Sequence, residues 1–203
     1  MNEVLHYLVT FVLQAAAFMF VARFLLQVCR VDFYNPVSQG VVKVTDPVLR
    51  PLRRVLPGFS NIDLAALVTA VATQVLLLMA LAALRGGYSG GVVLLLAGGI
   101  VEVALLCIRI FWWSILITLI AGWVVPGSSH PALGLVQHLT EPLLAPARRL
   151  LPAFGGLDFS PIVVFLILGL LERMLPTALK KHARSRERQT VQVWAKFFTE
   201  VFP

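Results

Sequence analysis

An all-α membrane protein crossing the bilayer several times is the fold this sequence predicts, and three observations predict it. Hydrophobic residues fill 59% of the 203 positions and charged residues only 13%, where a soluble chain carries about 25% charged residues. Apolar tracts close to the length of a membrane helix recur along the chain, each able to hide its backbone polar groups only as a helix. A proline- and arginine-rich segment occurs twice at a constant offset of 95 residues. This composition excludes a freely soluble enzyme and an isolated nucleic-acid domain. The net charge of +7, from 17 Lys+Arg against 10 Asp+Glu, fits basic loops and tails that set membrane orientation better than it fits nucleic acid.

The first span is predicted from Leu8 to Val28, where twenty-one residues cover about 31 Å, close to the hydrocarbon thickness. Met1-Asn2-Glu3 offers no basic n-region and no small-residue cleavage pattern follows, so this helix is expected to remain as an anchor. The second span, Leu64 to Leu84, carries no charge and is closed by Arg85-Gly86-Gly87. A third apolar tract runs from Val92 to Val125 and would reach about 51 Å as one helix. Gly98-Gly99 offers a place to bend or fray, and a main span from Val103 to Trp123 is expected, with Trp112, Trp113 and Trp123 at protein contacts or in an interfacial belt. The last apolar run starts near Phe159. It spans only if its Glu172-Arg173 end reaches the interface or faces protein.

The repeated segments read TDPVLRPLRRVLPGFSNIDLA over 45–65 and TEPLLAPARRLLPAFGGLDFS over 140–160, identical at ten of 21 positions. The same offset lays Asn35-Pro36 over His130-Pro131, the first span over 103–123 and the second over 159–179. The expected organisation is a first unit at 1–85, a connector at 86–102, a second unit at 103–179 and a basic, aromatic tail at 180–203. A two-span unit returns the chain to its starting side. The two copies should therefore be parallel, four spans in all, with both proline-arginine loops on one side.

Within each loop, Asp46-Pro47 and Glu141-Pro142 read as helix starts, with Thr45 and Thr140 as alternative caps. Pro51 and Pro146 remove a further donor and Pro57 and Pro152 limit extension. From Pro47 to Leu56 such a helix is about 15 Å long, an interfacial or shallow re-entrant element or else an ordinary loop over the helix ends. Val44, Val48, Leu52, Val55 and Leu56 approximate its apolar face, with Arg50, Arg53 and Arg54 turned to headgroups. Arg53-Arg54 and Arg148-Arg149 are suited to lipid phosphate or to a partner's carboxylate. Asp63 and Asp158 precede apolar helices and read as caps or as partners of arginines in their own unit.

Three charges interrupt the apolar tracts. Arg23 is placed to snorkel to the loop side of the first span. Glu102 and Arg109 share a helix face but lie about 10.5 Å apart along it, so each is expected to meet another helix, the interface or water. Structural pairing is the plainer reading of all three, and an ion or proton pathway the sharper one.

HExxH, GxSxG, Walker A, GxGxxG and paired CxxC patterns are absent from the sequence. Cys29 and Cys107 read as small hydrophobes, and His6, His130, His138 and His182 lack metal-ligand spacing. No catalytic residue, metal or other cofactor is expected. The tail from Lys180 to Arg188 is basic, which fits a cytoplasmic position or contact with anionic lipid. With both termini cytoplasmic, the inner segments carry eight Lys/Arg and the outer ones seven, a slender lean toward that topology.

The doubled pattern resembles the YggT family of bacterial and plastid membrane proteins. In the first unit the resemblance rests on Asn35, Pro36, Thr45, Asp46, Pro47, Leu49, Pro51, Arg53, Arg54, Pro57 and Asp63. In the second it rests on Pro131, Thr140, Pro142, Leu144, Pro146, Arg148, Arg149, Pro152, Asp158, Ser160 and Pro161. Departures are His130 for Asn, Glu141 for Asp and Ala145 opposite Arg50, so the two units are not expected to act equally. The resemblance implies a small integral protein of the bacterial inner membrane without a catalytic constellation. It also implies an accessory role, in cytochrome assembly or nucleoid distribution for plastid relatives and in osmotic or ion homeostasis for bacterial ones. The function expected is a membrane scaffold or assembly factor that engages lipids or a membrane protein partner through its paired loops. A component of ion transport is the alternative, and nucleic-acid binding by the tail is a distant third.

Overall fold

A computed structural model describes residues 2–56, 58, 62–84, 91–125, 130–150, 160–175 and 177, and the described chain is helical throughout. Pro57, Pro152, Asp158, the Gly-rich turn at 86–90 and the tail at 180–203 lie outside these residues.

Helix α1, Asn2–Val28, ends in a tight reversal. The Arg30 N–H donates to the Gln27 carbonyl and the Val31 N–H to that of Leu26, the paired bonds of a Schellman cap. Arg30 occupies the left-handed position there, at φ 53°, which usually falls to glycine.

Helix α2, Pro36–Arg53, starts eleven residues before the Asp46-Pro47 start that the loop chemistry suggested. Asn35 is the cap, its Oδ1 accepting from the Val37 N–H at 3.0 Å, and Pro36 fills the first turn where no donor is needed. Pro47 and Pro51 are interior. Each lacks the N–H that would bond four residues back, yet the helix continues, now 18 residues and about 27 Å long. Its buried face is Ser38, Thr45 and Leu49, extended by the partly buried Leu52 and Leu56. Val44, Val48 and Val55 are exposed, so the apolar face read from the sequence is split: one half packs on the helices and the other is left uncovered.

Helices α3, Leu64–Leu84, and α4, Val92–Val124, follow. Helix α4 runs through Gly98-Gly99 without a break, 33 residues in all and about 50 Å long. The glycines serve contact with α3. A Cβ on Gly99 would stand 2.5 Å from Val75 Cγ2 and 3.3 Å from the Val71 carbonyl oxygen, so the helices approach closely there.

Helix α5, Pro131–Leu150, matches α2 in form and again holds its prolines, Pro142 and Pro146, inside. A sixth helix, α6, covers 160–175. Glu3–Val28, Leu64–Leu84 and Val92–Gly122 are long and apolar enough to cross a membrane. The described part of α6 reaches about 24 Å, short of a full crossing.

Two apolar clusters hold these helices together. One joins Ala17, Val21 and Leu25 of α1 with Leu49, with Ala65, Ala66 and Ala70 of α3, with Val103 and Leu106 of α4, and with Leu139 of α5. The other joins Ile108 and Ile115 of α4 with Leu144 and Ala147 of α5 and Val164 and Leu168 of α6. Helix α4 therefore contributes to both.

Candidate functional site

The charged residues singled out in the sequence fall into three groups. In the first, Asp63 caps α3 by accepting from the Ala66 N–H at 3.1 Å, and its second oxygen accepts from the Arg53 guanidinium at 2.5 Å. Capping and arginine pairing, posed as alternatives, are thus both met by one carboxylate. Asp46 is no helix cap. Its oxygens face Arg50 at 3.1 Å and Arg53 at 3.7 Å. Arg23 of α1 lies within electrostatic reach of Arg53, Asp46 and Asp63, and its Nε is buried with no hydrogen-bond partner. So Arg53 is turned inward between two carboxylates rather than toward headgroups, while Arg50, with 78% of its side chain exposed, and Arg54 face outward.

The second group is on α5. Glu141 accepts from Arg148 at 3.2 Å instead of capping a helix, and Arg149 is exposed. The cap of α5 is His130, whose Nδ1 accepts from the Ala132 N–H at 3.3 Å. The imidazole therefore takes the role that the Asn35 amide plays for α2. Thr45 and Thr140 are buried and donate back within their own helices, to the Val41 carbonyl at 2.7 Å and the Gln137 carbonyl at 3.0 Å.

The starts of α2 and α5 meet. The Asn35 Nδ2 donates to the Pro131 carbonyl at 2.6 Å, and the two ends enclose an open cleft of about 410 Å³ lined by Asp32, Asn35, His130, Pro131, Gln137 and His138 among others. The repeat offset aligned Asn35 with His130 but carried no sign that the two helix starts touch.

The third group lies in the apolar helices. Arg109 of α4 donates to Glu172 of α6 at 2.9 Å. Glu102 takes no part in that pair. The sequence set Arg109 too far from Glu102 for a direct pair, and its partner on α6 is 63 residues away. Gln74, within the second span, is fully buried, and its amide nitrogen finds no hydrogen-bond partner. A buried unmet donor costs about 1–3 kcal/mol. Gln74→Leu, close in volume, is therefore expected to raise thermal stability in detergent by about 1 kcal/mol, and a lower unfolding midpoint would show that the amide has a partner in the membrane.

Among the described residues, no group of three or more His, Cys, Asp or Glu could hold a metal ion. Cys29 and Cys107 are free thiols, and burial pushes the Cys29 thiol up from its ordinary value, away from the reactive thiolate.

Comparison with known proteins places these features in a family. The CCB3/YggT family model matches residues 2–84 and 97–179. A Pseudomonas aeruginosa protein named "Uncharacterized protein PA0392" is 46% identical over 154 residues, 75% of this chain and 78% of its own length. An Escherichia coli protein named "Uncharacterized protein YggT" is 38% identical over 164 residues, 81% and 85% of the two chains. An uncharacterized protein of Haemophilus influenzae is 40% identical over 162 residues, 78% and 84%. No solved structure matches the chain. With two stretches that together cover most of its length matched, the chain belongs to the CCB3/YggT family.

Proposed function

We propose that this protein is a non-enzymatic membrane scaffold or assembly factor whose amphipathic helices α2 and α5 hold arginines against anionic groups at the membrane surface, organising lipid or a membrane protein partner. The observation that carries the reading is the division of labour among the arginines. Arg53 is held by the buried Asp63, which ties the end of α2 to the start of α3, and Arg148 is paired with Glu141 on its own helix. Arg50, Arg54 and Arg149 project outward beside them. The Arg50–Asp46 contact does not consume Arg50, because an ion pair with one side chain so exposed contributes little. The exposed Val44, Val48 and Val55 complete a surface that is apolar where acyl chains lie and cationic where phosphates lie. In this reading the protein resides in the bacterial inner membrane with both termini cytoplasmic. The pairing of Arg109 with Glu172 rather than Glu102 supports a scaffold over an ion pathway, since the two charges that a pathway would share are not brought together.

The test is the triple variant Arg50→Gln, Arg54→Gln, Arg149→Gln, purified beside the parent chain and analysed for bound phosphatidylglycerol and cardiolipin by native mass spectrometry. A cationic side chain near an anionic surface contributes about 1 kcal/mol. Retention is expected to fall about five-fold per arginine removed, with thermal stability unchanged. Equal lipid retention by the two proteins overturns the lipid role of these residues.

A further inference from the structure

The Arg109–Glu172 pair is set on an outer face of the bundle. It straddles the seam between α4 and α6, and 47% and 39% of the two side chains are exposed. A crossing needs about 20 residues, and every run of that length within Val92–Gly122 contains Arg109. With residues 103–122 across the bilayer, the pair stands about 9 Å inside the span and opens toward hydrocarbon, where half-covered charges are costly. Its surroundings form a continuous face. Trp113, Ile117 and Ile120 follow Arg109 at helical spacing and are exposed, as is Ile162 on α6. Gly169, three residues before Glu172, has nothing within 4 Å of where a Cβ would stand, leaving room for another helix to come close.

The geometry points to a second copy of this chain as the occupant of this face. Two copies in one membrane share an orientation, so a two-fold axis relating them runs along the bilayer normal. Such an axis exchanges left and right but leaves depth unchanged. Arg109 and Glu172 sit side by side at one depth, so each Arg109 meets Glu172 of the partner subunit and the four groups close into a ring of alternating charge. An unrelated protein would need its own matched pair at that depth, whereas a second copy carries one by symmetry. The dimer face is separate from the arginines of α2 and α5, so it stands or falls independently of the lipid reading.

The experiment uses the full chain in its membrane, with Cys29→Ser and Cys107→Ser as background and two differently tagged copies expressed together. One copy carries Ile120→Cys and the other Ile162→Cys, positions at similar depth on the two sides of the seam. Oxidation is expected to give a disulfide between the tagged copies about ten-fold above a control in which Phe11→Cys, exposed on α1, replaces Ile120→Cys. A second variant isolates the charges: Arg109→Glu with Glu172→Arg keeps the internal pair in reversed order. Two reversed copies should crosslink as the parents do. A reversed copy set against a parent places like charges together, and its crosslinking should fall about ten-fold. Crosslinking of parent with parent no better than the control, or of reversed with parent as good as parent with parent, overturns the proposal.

Discussion

Asp63→Ala is expected to lower the stability of the folded protein by about 2–4 kcal/mol, the cost of losing a helix cap and a hydrogen bond to a partly buried charged group. The carboxylate is 2% exposed and serves two groups at once, the Ala66 N–H and the Arg53 guanidinium. Losing the cap alone costs about 1 kcal/mol. The larger part comes from Arg53, left beside Arg23 with only Asp46 to balance two positive charges. Asp63→Asn keeps an oxygen for the cap and should fall between the parent and Asp63→Ala. Asp46→Ala should cost less than about 1 kcal/mol, because its closer partner is the exposed Arg50. Thermal unfolding in detergent ranks the three variants, and equal losses for Asp46→Ala and Asp63→Ala would sink the assignment of Asp63 as the pivot of this cluster.

The second large effect is expected at Gly99. A leucine there would have to place its Cβ against the stiff, branched side chain of Val75 and the backbone of Val71. Neither can step aside without moving α3, so Gly99→Leu is expected to cost about 3 kcal/mol, the upper part of the range for overpacking. Gly122 lies on the same helix with nothing within 4 Å, and Gly122→Leu should leave the unfolding midpoint almost unchanged. If the two variants unfold together, the close approach of α3 and α4 is wrong.

Gly99 also shows where sequence reasoning reached its limit. The apolar tracts and the absence of charge from Leu64 to Leu84 placed the membrane helices well, because hydrocarbon imposes one simple demand on length and polarity. Gly98-Gly99 was ambiguous, since glycine permits both a bend and a close contact. Only a neighbouring helix decides between them. The proline-arginine loops misled for a related reason. Asn35-Pro36 and Asp46-Pro47 are equally good helix starts by local chemistry, and interior prolines break helices in water, while packing against α1 and α3 lets α2 run through Pro47 and Pro51. The pairing of Arg53 with Asp63 was within reach because the two residues share one short loop. Arg109 and Glu172 were not, because their meeting depends on how α6 lies against α4.

The continuity of α4 has a consequence for how the chain is made. The cluster around α1 and α3 is completed by Val103 and Leu106 of α4 and by Leu139 of α5, while Ile108 and Ile115 of α4 belong to the cluster with α6. As the chain emerges from the ribosome, α1, α2 and α3 reach the membrane before the residues that complete their packing exist. Closure of the early half waits on synthesis of α4 and α5, and α4, once placed, fixes where α6 must pack. Assembly of the two halves is thereby coupled, because α4 and α5 each place side chains in both clusters.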